Sequence, residues 1–310
     1  MTNDRTAENI AVAMAAVTAI TNQQLDLTTP PDPAPTPRRG ALIVGASSGI
    51  GAALARELAA RGYALALVAR RAAALDALCA EINAAVPAIP ASQPPTPTWG
   101  KTARGLDQLA RAYTHDVRDY AAAPDLFAHI RRELAADGAD LRLLVYAAGV
   151  MPSGQDGAWS FEDERATLET NTLGAMCWLD LGAETFTELG RGALVGISSV
   201  AGDRGRKGNS AYMASKAALS VYLESLRYRL HAGAGKRVRV VTVKPGFVAT
   251  PLLGDATPPA ALVASAAMVA RRIASACERG PEVVYVPGWW ALVMAGVRAL
   301  PGFAMTRLPI

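Results

Sequence analysis

A chain of 310 residues that is 51% hydrophobic and 19% charged has the material for a large buried core, which excludes a disordered or fibrous protein. Its 31 Lys and Arg against 27 Asp and Glu leave a small basic excess, scattered rather than striped, so no nucleic-acid partner is expected. Cys79, Cys177 and Cys277 are odd in number and far apart, and His115, His129 and His231 make no ligand-spaced cluster; no disulfide framework and no metal site are expected, and a reduced, cytoplasmic setting fits.

The apolar stretch "IAVAMAAVTAI" follows Asp4 and Glu8 rather than a basic segment, which argues against a secretory signal, and it is too short to span a bilayer. "TTPPDPAPTPRRG" is Pro-rich and reads as an extended linker. Residues 1–38 are therefore expected to be an extension, disordered or extended, ahead of one domain over 39–287. "ALIVGASSGIG" breaks from a strand into glycines and then into "AALARELAARG", whose apolar spacing is helical; "YALALVARR" and "AAALDALCAEINAAV" repeat strand and helix. Residues 87–105, rich in Pro and turn formers, read as a surface insertion. Beyond it come a strand over Ala110 to His115, a helix over Pro124 to Ala136, strand "LRLLVYAAG", a helix over Arg165 to Glu188, strand "GALVGISS", a helix over Ser210 to His231, and strands "VRVVTV" and "EVVYVP". Seven strands alternating with helices predict an α/β doubly wound Rossmann fold, a parallel sheet with helices on both faces, in a single domain.

Gly45, Gly49 and Gly51 stand where the first strand hands over to the first helix. Glycine there lets the backbone approach a pyrophosphate facing the free N–H groups of the helix. An acid at the end of the second strand takes the ribose hydroxyls of NAD, and an Arg takes the 2′-phosphate of NADP. This chain has Arg70 and Arg71 there, so NADP(H) is favoured, with NAD(H) left open.

Tyr212 and Lys216, spaced i, i+4, lie on one helix face. An ammonium beside a phenol stabilises the phenolate and makes it a usable acid or base. Ser199, following a strand, lies at the carboxyl edge of the sheet, where α/β folds bind ligands.

"GASSGIG", "ISSVAG", "YMASK" and "KPGFVAT", in that order and spacing, resemble the classical short-chain dehydrogenase/reductase family. That resemblance implies hydride transfer between a nicotinamide and a ketone or secondary alcohol. It implies a catalytic set of Ser199, Tyr212, Lys216 and Asn171, the last supporting a water relay to the lysine. Gly45, Ser47, Gly49, Ile50 and Gly51 are then the phosphate turn, and Arg70 the 2′-phosphate contact. Asp116 and Val117 contact adenine, Tyr212 and Lys216 also touch the cofactor, and Pro245, Gly246, Val248 and Thr250 close over the nicotinamide. Homodimers or homotetramers built on the helices bearing Asn171 and Tyr212 are implied as well. Two departures, Val44 for a usual Thr and "YAAG" for Asn-Asn-Ala-Gly, put sheet-supporting hydrogen bonds in question.

The stretch "AGDRGRKGN" and the tail from 288 to 310 resemble a narrower subgroup, the decaprenylphosphoryl-2-keto-pentose reductases, which act on a keto sugar carried by a polyprenyl phosphate. On that reading Arg204 and Arg206 meet a substrate phosphate; the alternative is a solvated loop network. Val283 to Val297, with Trp289 and Trp290 inside it and Arg298 and Arg307 flanking, suits a peripheral contact with the inner face of a membrane or packing under the substrate lobe. A general reductase of lipidic ketones and a non-catalytic dinucleotide sensor remain alternatives.

Overall fold

A computed structural model of the chain describes residues 37–85, 108–151, 160–233, 235–254 and 257–307. The insertion expected at 87–105 and nearly all of the extension lie outside the described residues. From Pro37 onward the chain is one compact unit.

The elements run β1 (Arg38–Val44), α1 (Gly49–Ala60), β2 (Ala64–Ala69), α2 (Ala72–Ala84), β3 (Ala110–Thr114), α3 (Ala123–Ala136) and β4 (Ala139–Tyr146). Then come α4 (Phe161–Leu168), a π-helical turn over Glu169–Leu173, α5 (Gly174–Leu189), β5 (Gly192–Ile197), α6 (Ser210–Ala232) and β6 (Val238–Pro245). The chain ends on β7 (Phe247–Ala249), β8 (Val263–Ser265), α7 (Ala266–Glu278), β9 (Val283–Val286), α8 (Trp290–Ala299) and α9 (Gly302–Met305). The main sheet has seven strands in the order β3-β2-β1-β4-β5-β6-β9, and every pairing is parallel. The strand order reverses between β1 and β4, and that switch point opens the crevice where such sheets bind ligands.

Strand periodicity divides the core. Ala41 and Ile43 of β1 face Leu54 and Leu58 of α1, Leu75 of α2 and Ile273 of α7, while Leu42 and Val44 face Ile130 of α3, Trp178 of α5 and Leu223 of α6. A strand covered on both faces needs an unbroken apolar run, which is why "ALIV" and "ALALVA" carry no polar residue. Each fully buried Leu or Ile contributes roughly 1.5–3 kcal/mol.

Two features were not in the sequence reading, and a third bears on a choice it left open. The helix expected from Arg165 begins at Phe161, where the Ser160 hydroxyl accepts from Asp163 N at 3.2 Å, and it is interrupted by the π turn. The short parallel pair β7-β8 was too brief to show a period. Past Pro287 there is no break into a separate tail: α8 packs back through Trp290 and Met294 onto Val200.

Candidate active site

Gly45 has φ +94 and Gly49 φ +56, left-handed values that favour glycine. A Cβ on Gly45 would come 2.3 Å from Ala148 N, and one on Gly51 2.2 Å from the Gly45 carbonyl. The turn thus packs backbone on backbone and leaves the N-terminus of α1 open toward the crevice, the arrangement that suits a phosphate. The crevice is a cavity of about 330 Å³. Among the described residues, the ionisable side chains lining it are Arg70, Arg71, His115, Arg206, Tyr212 and Lys216, with no Asp or Glu. A close-approach turn, a free helix N-terminus and a basic lining fit a pyrophosphate-bearing nicotinamide cofactor.

At the far end Arg71 reaches back over the turn. Its Nη2 donates to the hydroxyls of Ser48 at 2.5 Å and Ser47 at 3.0 Å. Arg70 Nη1 lies 3.8 Å from Asp116 Oδ2, which Arg118 binds more closely at 2.8 Å. The hydrogen bond from Arg118, with burial opposing it, holds the Asp116 carboxyl below its ordinary range. Asp116, expected at the adenine, does not line the cavity; its carboxylate is turned into this arginine pair.

The sequence brings Ser199 and Tyr212 to the cavity by two caps. Ser199 follows β5 and caps a 3₁₀ turn over Val200–Gly202, its hydroxyl accepting from Ala201 N at 3.1 Å. Asn209 caps α6, its Oδ1 accepting from Tyr212 N at 2.9 Å, which sets the tyrosine in the first helical turn. Lys216, one turn on, is buried and donates to the Ile197 carbonyl at 2.9 Å, with Nζ 5.8 Å from the Tyr212 ring centre. Burial lowers its pKa to about 8.

Burial also pushes the Tyr212 phenol up; the Ser199 hydroxyl, and after it the Arg206 guanidinium, pull it back down.

Asn171 is fully buried in the π turn. Its Oδ1 accepts from Val150 N at 2.8 Å, and its Nδ2 donates to Val150 O at 2.9 Å and Ser215 Oγ at 3.0 Å. A Cβ on Gly149 would lie 3.4 Å from both Asn171 Oδ1 and Lys216 Nζ, so the two groups flank one backbone position. The departure at "YAAG" is compensated locally. Tyr146, fully buried, donates to the Thr170 carbonyl of the π turn at 2.5 Å, tying the end of β4 to the segment that carries Asn171.

The charged stretch after Ser199 divides three ways. Asp203 is buried and accepts from Lys244 Nζ at 2.5 Å and Tyr285 Oη at 2.7 Å. Arg204 Nη2 donates to the Leu300 carbonyl beyond α8 at 3.2 Å. Only Arg206 lines the cavity. Arg204, expected beside the substrate, is thus turned to the C-terminal segment because Asp203 anchors the loop beneath it.

The cavity gathers Ser199, Tyr212 and Lys216 with Gly45, Ser47, Gly49 and Ile50, and it includes Arg70 and Val117. Pro245, Gly246, Val248 and Thr250 close its other side. Asn171 stands behind it, and Gly51 serves beneath the turn. Arg71 and Trp290 also line it. Arg71 was visible as half of an arginine pair, and Trp290, in a run for which packing under the substrate lobe was one of two expectations, is buried against the cavity.

A protein-family model described as short chain dehydrogenase matches residues 39–93 and 91–260. An uncharacterized oxidoreductase of Mycobacterium tuberculosis is 34% identical over 266 residues, 85% of this chain and 94% of that protein. A 3-oxoacyl-[acyl-carrier-protein] reductase of Bos taurus is 31% identical over 217 residues, 69% of this chain and 77% of that one. Among solved structures, an actinorhodin polyketide ketoreductase with NADPH superposes with a TM-score of 0.64 at 23% identity, covering 82% of this chain and 97% of that one, a likeness of fold. With its family model spanning most of the folded unit, this chain belongs to the short-chain dehydrogenase/reductase family and is an NAD(P)-dependent oxidoreductase acting on CH–OH groups.

Proposed function

We propose that the chain is an NADP(H)-preferring ketoreductase that uses Ser199 and Tyr212 to receive a carbonyl oxygen. The observation that carries this reading is the convergence of Ser199, Tyr212 and Lys216 on the same cavity as the glycine turn. The nicotinamide cofactor, when bound, supplies or accepts the hydride. Ser199 Oγ orients the substrate oxygen, and Tyr212 Oη gives it a proton in reduction and takes one in oxidation. Lys216 Nζ, at the cavity wall beside Tyr212, contacts the nicotinamide ribose and supports the charge that develops on the phenol, while Asn171 is the positioning residue that holds Val150 and faces the lysine across Gly149. Arg70 and Arg71 take the 2′-phosphate. The test is oxidation of NADPH and NADH against a panel of ketones by wild type and Tyr212→Phe; equal activity in the two proteins overturns the reading.

For the substrate, Arg206, in a cavity whose described lining carries no Asp or Glu, favours a carbonyl compound carrying a negative group. A keto sugar on a polyprenyl phosphate is one such compound, and the bovine relative's name, a reductase of acyl chains on a carrier protein, points to another. Arg206→Ala should lower kcat/KM for phosphorylated or carrier-linked ketones and leave neutral lipidic ketones unchanged. Exposed Trp289, Leu292, Val293 and Phe303 support a peripheral membrane contact by the C-terminal helices. No helix among the described residues is long and apolar enough to cross a membrane. Exposed Val221 and Tyr228 on α6 are compatible with a homo-oligomer.

A further inference from the structure

Trp289 and Trp290 are stacked, with ring centres 4.5 Å apart, yet they face different surroundings: Trp289 is 41% exposed and Trp290 only 7%. The Trp290 indole lies on the backbone of Gly246, where a Cβ would come 2.0 Å from Nε1. Phe247 meets the ring edge-on at 6.2 Å, and all three residues line the cavity that holds Tyr212. Among the described residues the buried indole Nε1 has no hydrogen-bond partner, so no hydrogen bond of its own to them fixes this ring. What fixes it is the packing of α8, through Met294, Val297 and Val200, and the bond from Arg204 to Leu300 O. Asp203 holds that arginine's loop through Lys244 and Tyr285.

We infer that Trp290 is the wall of the substrate end of the cavity, that the Asp203–Arg204 turn seats it there, and that the chain selects carbonyl compounds with a planar apolar flank. The inference rests on the ketoreductase reading for its substrate, but the wall itself is a matter of binding. A flat aryl or conjugated group next to the carbonyl gains offset or edge contacts with the indole and with Phe247. A small aliphatic ketone fills less of that surface. Arg204, which does not line the cavity, is a positioning residue: losing it frees the end of α8 and loosens the wall without altering the cavity's own polar groups.

The experiment compares 1-indanone with 3-pentanone in NADPH-driven reduction by wild type, Trp290→Ala, Trp290→Phe and Arg204→Ala. The ratio of kcat/KM for the two ketones should fall about tenfold in Trp290→Ala, fall in the same direction in Arg204→Ala, and persist in Trp290→Phe, which keeps a ring and drops the N–H. The ratio is read at saturating NADPH for each variant, so that any change in cofactor affinity does not enter it. An unchanged ketone ratio in Trp290→Ala overturns the wall, and an unchanged ratio in Arg204→Ala alone overturns the seat. Should Trp290→Ala fail to fold, Trp290→Leu carries the same comparison. If wild type binds NADPH but reduces neither ketone, the ketoreductase reading fails by itself. The wall is then judged by saturation-transfer NMR of 1-indanone on the NADPH-loaded protein, where equal affinity for wild type and Trp290→Ala sinks it.

Discussion

Asp203 and Lys244 form an ion pair at 2.5 Å whose side chains are 2% and 13% exposed, joining the loop behind Ser199 to the end of β6. Removing one charge from a buried pair leaves the other uncompensated, a loss of about 3 kcal/mol or more. Asp203→Asn should lower stability by that order in urea unfolding, and Tyr285→Phe by about 1.5–3 kcal/mol, since it removes one hydrogen bond to the same charged carboxylate. A midpoint for Asp203→Asn equal to wild type would contradict the pairing.

Arg71 lies over the glycine turn at one end of the cavity. Its three hydrogen bonds to the Ser47 and Ser48 hydroxyls pre-position a guanidinium over the turn. Arg71→Ala should weaken NADPH binding about tenfold or more while NADH binding changes little. Arg70→Asp should shift preference toward NADH, and titration of cofactor fluorescence reads both.

Tyr212 is raised by burial and pulled back by Ser199 and Arg206. The proton therefore stays on the phenol through neutral pH, and ketone reduction should lose rate only on the alkaline side. Arg206→Ala removes a positive charge that favours phenolate, so the alkaline limb of the kcat profile should move upward. Tyr212→Phe should cost roughly 10²–10⁴ in kcat with NADPH affinity intact.

Lys216 opposes stability. Its folded pKa of about 8 lies below the unfolded value of about 10.4, so the unfolded chain binds more protons between these limits and stability rises with pH across that window. The cost of burying the lysine is complete below pH 8. Lys216→Met should thus be inactive yet more stable at pH 7, by about 1–3 kcal/mol, and the difference should shrink toward pH 10. A constant difference across that range would contradict the assignment.

Much of the site is readable along the chain because its determinants are local. The glycine turn follows from backbone approach within a few residues. Tyr212 and Lys216 share a face by helical period, and both cores follow from apolar strands flanked by amphipathic helices. The π turn at Glu169–Leu173 escaped notice since one extra residue in a helix leaves no compositional mark. Tyr146 looked like a lost hydrogen bond until its phenol was found on Thr170 O.

The amino-acid sequence alone determined the doubly wound sheet and, through its motifs, the nicotinamide cofactor class, and it pointed to Ser199, Tyr212 and Lys216 as a candidate set. Only the tertiary structure decided how the charged stretch after Ser199 divides. Asp203 goes to Lys244, Arg204 to the end of α8 and Arg206 to the cavity, and Trp290 stands against Gly246. The physical reason is that those partners lie on β6, β9 and α8. A side chain's partner across the sheet is set by strand order and packing, which no local spacing records.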